Sequence, residues 1–169
     1  MLDIKFLKKI PIFSGLSSGK LGKVGGIIKE KVVEANEVIL QEGKRGDRMY
    51  ILLEGEVEIS KVLVLKDTSA AMNRQDKSLI QLSSKDYAFF GEMAILDPRG
   101  IRSATVIALK RCRLGEIEHV DFIRLIESDK EIGYTVARNI GAVLSARLDK
   151  ANHDILRLTT ALSLILERQ

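Results

Sequence analysis

Phe90-Gly91-Glu92-Met93-Ala94-Ile95, followed by Arg102-Ser103-Ala104-Thr105-Val106-Ile107-Ala108, is the stretch on which the reading of this chain turns. From Ile101 to Leu109 polarity follows a two-residue period, which predicts a strand. Arg102 shares one face of it with Ala104, Val106 and Ala108, while Ile101, Ser103, Thr105, Ile107 and Leu109 take the other. A guanidinium on a face of small apolar residues is costly unless an anion pairs with it, and its planar fork suits two oxygens of a phosphate or a carboxylate. That anion is either internal, in a buried salt bridge from Arg102 to Glu92, or a ligand. Phe90 to Leu96 favours the ligand. There an aromatic strand end passes through Gly91 into a short helical turn, whose free N–H groups can face an anion. Gly91 permits close backbone approach, and Glu92 accepts from a hydroxyl but repels phosphate. A molecule carrying both a phosphate and a sugar hydroxyl satisfies both residues.

Working outward, Ile39-Leu40-Gln41-Glu42-Gly43-Lys44-Arg45-Gly46-Asp47-Arg48-Met49-Tyr50-Ile51-Leu52-Leu53-Glu54-Gly55 reads as strand, glycine turn, strand and glycine. Together the two segments resemble the cyclic nucleotide-binding domains shared by catabolite activator proteins, kinase A regulatory subunits and cyclic-nucleotide-gated channels. The first resembles that family's phosphate-binding cassette throughout. Carried over, the resemblance implies that Arg102 pairs with a cyclic phosphate and that Glu92 accepts from the ribose 2′-hydroxyl. It implies too that Gly91, Met93, Ala94, Ser103 and the Ala104 amide complete the cradle. Ser103 after Arg102, where guanine-binding relatives carry Thr, favours cyclic AMP over cyclic GMP. Lys44 departs from the acidic or small polar residue usual in the turn, which the family treats as mainly structural. The segment from Val62 to Lys77 is longer than the hairpin of many relatives, as a partner surface or a long loop.

Composition fits a single globular domain. The chain has 169 residues, 46% of them hydrophobic and 30% charged, enough to bury a core. No apolar run approaches a membrane span, and Met1-Leu2-Asp3-Ile4-Lys5 lacks a signal-peptide stretch, so a cytoplasmic location is the default expectation. Cys112, alone, forms no internal disulfide and is expected in the core; with His119 and His153 it supplies no metal-ligand set, so no cofactor is expected. The net charge of +4 is modest. Its densest cluster, Arg99, Arg102, Lys110, Arg111 and Arg113, surrounds the expected pocket and can steer an anion.

Helical spacing from Leu2 to Ile10 stops at Pro11, and Ser17 or Ser18 caps a second short helix through Ile28. Its glycines, Gly19 to Gly26, lack the Gly-Lys-Ser/Thr ending of a P-loop and the dinucleotide fingerprint. Strands are expected at Val32-Val33, Val38 to Gln41, Met49 to Leu53, Glu56 to Leu65, Ser78 to Leu82, Ile101 to Leu109 and Cys112 to Ile117. Many short strands suggest a barrel or jelly roll. The resemblance makes this an α+β fold, mainly β: a double-stranded β-roll with N-terminal helices and a long C-terminal helix. The expected division is 1–125 for the roll with its lead-in and 126–169 for the helical segment.

In that segment Leu144, Leu148, Ala151, Ile155, Leu158, Leu162 and Ile165 alternate spacings of four and three, an a/d seam. A helix packed on its own domain shows similar spacing, yet some 35 residues after Glu131 outreach a small domain. In the family the equivalent helix lies beside the nucleotide and often pairs two subunits, so a homodimer is expected, with Arg147 as a lid residue able to stack on a purine. The chain ends without the helix-turn-helix that follows this helix in transcription factors, so no DNA-reading module is expected. Nucleophile elbows, paired catalytic carboxylates and zinc motifs are absent, and no enzyme is expected. The reading is a cyclic nucleotide sensor acting on an unknown downstream protein; the rival is the sensor and dimerisation fragment of a transcription regulator with another effector.

Overall fold

The computed structural model of the chain describes residues 2–66, 72–96 and 99–166. Asp3 accepts a hydrogen bond from the Lys5 N–H and starts α1, Ile4–Leu7. The helix is shorter than the spacing from Leu2 to Ile10 predicts, because Ile10 precedes Pro11 and is held extended at ψ 122°. A 3₁₀ turn at Pro11–Phe13 follows, and Ser17 caps α2, Ser18–Gly26.

Among the described residues eight strands come next: β1 Lys29–Val33, β2 Val38–Leu40, β3 Arg48–Glu54, β4 Glu56–Lys66, β5 Met72–Ser83, β6 Phe89–Phe90, β7 Thr105–Ala108 and β8 Cys112–Glu118. They form two antiparallel four-stranded sheets, in the orders β1-β8-β3-β6 and β2-β7-β4-β5. The short helix α3, Glu92–Leu96, interrupts the strands, and α4, His119–Ser128, and α5, Lys130–Leu166, close the chain. This is the expected mainly-β roll with helices at both ends.

Strand β3 explains how two cores coexist. Met49 and Ile51 face a cluster with Leu7, Ile10, Phe13, Ile117, Phe122, Ile132 and Val136, which joins the sheet to the helices. Tyr50 and Leu52 face the opposite way, into the roll, with Leu40, Val57, Phe90, Val106 and Leu114 from both sheets. A strand covered on both faces needs an unbroken apolar run, and Met49-Tyr50-Ile51-Leu52 supplies it. Adjacent Phe89 and Phe90 divide between the two cores in the same way. Cys112 is buried inside the roll, as expected.

Two expectations are corrected. Residues 62–66 and 72–77 are not loop: β4 and β5 form one long hairpin, paired out to Lys66 and Met72. The polar run from Asn73 to Lys77 has low strand propensity, and pairing with Val62 to Leu65 overrides it; residues 67–71 lie outside the described residues. The strand expected from Ile101 to Leu109 is only Thr105–Ala108, with Ile101 in a single bridge to Arg45. Arg102 therefore lies ahead of the strand.

Asp129 separates α4 from α5 and fixes both to the lead-in. It receives Lys20 Nζ at 2.7 Å and Lys23 Nζ at 2.8 Å from α2, and it accepts from the Ile132 N–H at the start of α5. These two lysines hold its carboxyl well below the usual range. Asn139 in α5 donates to the carbonyls of Ile12, at 3.1 Å, and Ser14, at 2.8 Å. Among the described residues no helix is long and apolar enough to cross a membrane.

Candidate ligand site

Arg102 is 6% exposed, and no carboxylate among the described residues pairs with it. Its Nη1 donates to the Gly91 carbonyl at 3.1 Å. Burial lowers its pKa, and Tyr50 and Asp47 act in the opposite direction. A buried cation of this kind gains from any anion brought to it.

The glycine turn, mainly structural according to the family resemblance, builds this position. The Gly43 N–H bonds the Arg102 carbonyl, the Arg102 N–H bonds the Lys44 carbonyl, and the Gly46 N–H bonds the Gly100 carbonyl, each at 2.9 Å. These bonds satisfy the backbone that a longer β7 would have used, which is why the strand starts only at Thr105. A Cβ on Gly46 would collide with the Arg102 guanidinium. Gly91, at φ +81°, meets the same guanidinium at Nη1, 2.9 Å from an added Cβ. Two glycines thus leave a slot that the arginine head fills. Lys44 enters the clamp through its carbonyl, so the unusual side chain there does not alter it.

Glu92 opens α3 and is 2% exposed. Its partner is Arg147 of α5: Arg147 Nη1 donates to Glu92 Oε1 at 2.7 Å. The internal salt bridge from Arg102 to Glu92 is not formed. Arg147 also reaches the Phe89 carbonyl at 3.4 Å and lies 5.3 Å over the Phe89 ring. Behind Arg102, Tyr50 stacks on Phe90 at 5.6 Å, and its hydroxyl is pushed up to about 12 by burial and then by Glu116. Arg48 Nη1 stands 3.3 Å from buried Glu116 Oε1 and supplies that carboxylate's counter-charge.

A cavity of about 740 Å³ opens between the roll and α5, within the range of small-molecule sites. Gly91, Glu92, Met93, Arg102, Ser103 and Ala104 line its cassette end, and Arg147 stands at its edge. Ala94 follows Met93 in α3. Met93 and Ser103 touch across the cleft, Sδ to Oγ at 3.7 Å. The sequence reading missed the apolar wall, where Leu79 and Ile80 are consecutive and yet both line the cavity. The cause is a bulge: Ile59 pairs with Ile80 and Ser60 with Ser78, leaving Leu79 as the extra residue. A bulge leaves no reliable mark in sequence. It also missed Asp154 and Lys150, which α5 brings to the far side of the cavity together with Leu148 and Ala151. Among the described residues no cluster of His, Cys, Asp and Glu is suited to a metal ion.

Comparison with known proteins agrees with this geometry. Residues 30–129 match the model of the cyclic nucleotide-binding domain. The chain is 30% identical over 121 residues to a cAMP-dependent protein kinase regulatory subunit of Yarrowia lipolytica, covering 72% of this chain and 28% of that protein. It is 30% identical over 131 residues to a cyclic nucleotide-gated potassium channel of Rhizobium etli, covering 76% and 32%. It thus spans about a third or less of the length of these curated relatives. The Thermus thermophilus catabolite activator protein superposes with a TM-score of 0.71 at 25% identity, covering 88% of this chain and 63% of that one. With the fold, the glycine-clamped arginine and the family match in agreement, the chain belongs to the cyclic nucleotide-binding domain family.

Proposed function

We propose that this domain is a regulatory module that binds cyclic AMP in preference to cyclic GMP and signals through α5, without chemistry on the ligand. The observation that carries the reading is Arg102: a buried guanidinium, clamped between two glycines, with no carboxylate partner among the described residues. A cyclic phosphate answers that charge, and the ribose 2′-hydroxyl is within the chemistry of Glu92. Met93, Ala94, Ser103 and Ala104 complete the cradle, and the apolar wall with Leu79 receives the base. The preference for cyclic AMP rests on Ser103 alone.

The assembly we propose is a homodimer in the cytoplasm that acts on a downstream protein. In support, α5 runs 37 residues, about 55 Å, and Leu148, Ile155, Leu158, Leu162 and Ile165 are all more than half exposed. Calorimetric titration with both nucleotides tests the binding claim. Cyclic AMP binds more tightly than cyclic GMP, and Arg102→Ala lowers affinity by well over tenfold, since removing one partner of a buried charged pair costs about 2–5 kcal/mol. Equal binding by Arg102→Ala, or none by the native protein, rejects the site. Chromatography after incubation with cyclic AMP tests the absence of chemistry: AMP that forms with native protein and not with Arg102→Ala rejects it.

A further inference from the structure

Of the four methionines in the chain, Met49 is buried at 1% exposure, whereas Met93 is 48% exposed. Met93 is the second residue of α3, and it lines the ligand cavity while Glu92 and Ile95 of the same helix are buried. Its Sδ stands 3.7 Å from Ser103 Oγ across the cleft. A thioether is a weak acceptor, so it holds the Ser103 hydroxyl loosely and leaves it able to turn to a phosphate oxygen. An oxidisable atom thus touches a hydroxyl that the functional reading gives to the ligand.

We propose that Met93 is a peroxide-sensitive modification site, and that its oxidation to the sulfoxide weakens binding of the cyclic phosphate. The proposal rests on the cyclic nucleotide reading of the cavity. In the reaction a lone pair of Sδ attacks one oxygen of hydrogen peroxide, and the S–O bond forms as the O–O bond breaks. Sulfur gives up two electrons, and the peroxide is reduced to hydroxide, which takes the proton of the transferred hydroxyl and leaves as water. Access decides which thioether reacts: Met49 is sealed in the helical core, and Met93 is open to the cavity. Two effects on binding follow. The sulfoxide oxygen is a strong acceptor attached to a sulfur already in contact with Ser103 Oγ, so it competes with phosphate for that hydroxyl. The same oxygen carries partial negative charge at the wall of a cavity that attracts its ligand through Arg102, so it also repels the anion. A ligand already in the cavity covers Sδ, which makes occupancy protective.

The test titrates native protein, Met93→Leu and Ser103→Ala with cyclic AMP before and after hydrogen peroxide, each treated sample read against its own untreated one. Peptide mass spectrometry scores oxidation at every methionine. In the native protein Met93 oxidises ahead of Met49, and saturating cyclic AMP slows it. The oxidised protein binds roughly threefold to tenfold more weakly, the worth of about one hydrogen bond, and methionine sulfoxide reductase restores the affinity. Met93→Leu keeps Met1, Met49 and Met72 and shows no loss on treatment. Ser103→Ala lacks the contested hydroxyl and loses less than about twofold. Met93→Gln, whose amide carbonyl imitates the sulfoxide, binds more weakly than Met93→Leu without any peroxide. Absence of sulfoxide at Met93, unchanged affinity once it has formed, or an equal loss in Met93→Leu or in Ser103→Ala overturns the proposal. Untreated native protein that binds no cyclic nucleotide overturns the site reading itself and this proposal with it.

Discussion

At the scale of the residue, the glycine turn separates two effects that substitution can tell apart. Gly43 has φ +77° with open space where a Cβ would stand, whereas Gly46 has ordinary backbone and a Cβ that would meet the Arg102 guanidinium. Gly43→Ala therefore costs stability, about 1–2 kcal/mol from the left-handed backbone, and leaves ligand affinity near native. Gly46→Ala displaces the guanidinium and lowers cyclic nucleotide affinity about tenfold or more with a smaller change in stability. Chemical denaturation paired with titration of each variant separates the two, and similar losses in both properties for both variants would reject the slot.

At the scale of the element, α5 serves three neighbours in succession. Ile132, Val136 and Ile140 are buried in the helical core, Leu148 and Ala151 roof the cavity, and Leu158 and Leu162 extend beyond both. The N-terminal third is fastened by Asn139, whose amide serves two carbonyls of the lead-in. Asn139→Ala leaves both acceptors without that donor and should lower the unfolding free energy by about 1–3 kcal/mol in denaturant titration. The seam that we propose pairs two subunits begins at residues that also line the cavity, Leu148 and Ala151, and runs on through Ile155, Leu158, Leu162 and Ile165. Leu158→Asp with Leu162→Asp should give a monomer in analytical ultracentrifugation, because a charge in a heptad core loses its solvation. A native monomer at the same concentrations would reject the dimer.

At the scale of the whole molecule, Asp129 joins the lead-in to both C-terminal helices, and its response to pH follows from its lysine partners. In an unfolded chain an aspartate titrates near pH 3.9, and Lys20 and Lys23 hold Asp129 below that in the folded protein. A depressed carboxyl contributes stability that is present above the unfolded value and is lost as the pH falls toward the folded one. Thermal melts taken downward from about pH 5 should show native protein losing stability more steeply than Asp129→Asn. Matching slopes would remove Asp129 as a source of acid sensitivity.

Much of this protein is written locally. Ser17 as a cap, the glycines at Gly43 and Gly91, the apolar run of β3 and the long periodic tail each act through neighbours in the chain, so the order of elements and the cassette are legible in the sequence. Arg102 was legible too, as a cation on an apolar face that needs an anion. Its surroundings were not. The clamp by Gly46, the bulge that turns Leu79 to the cavity, the extension of β5 through a polar run and the pairing of Arg147 with Glu92 all depend on segments far apart in sequence. Periodicity carries which face a residue takes, whereas the partner that meets it there is set by backbone hydrogen bonds and charge compensation between distant elements, which only the tertiary structure decides.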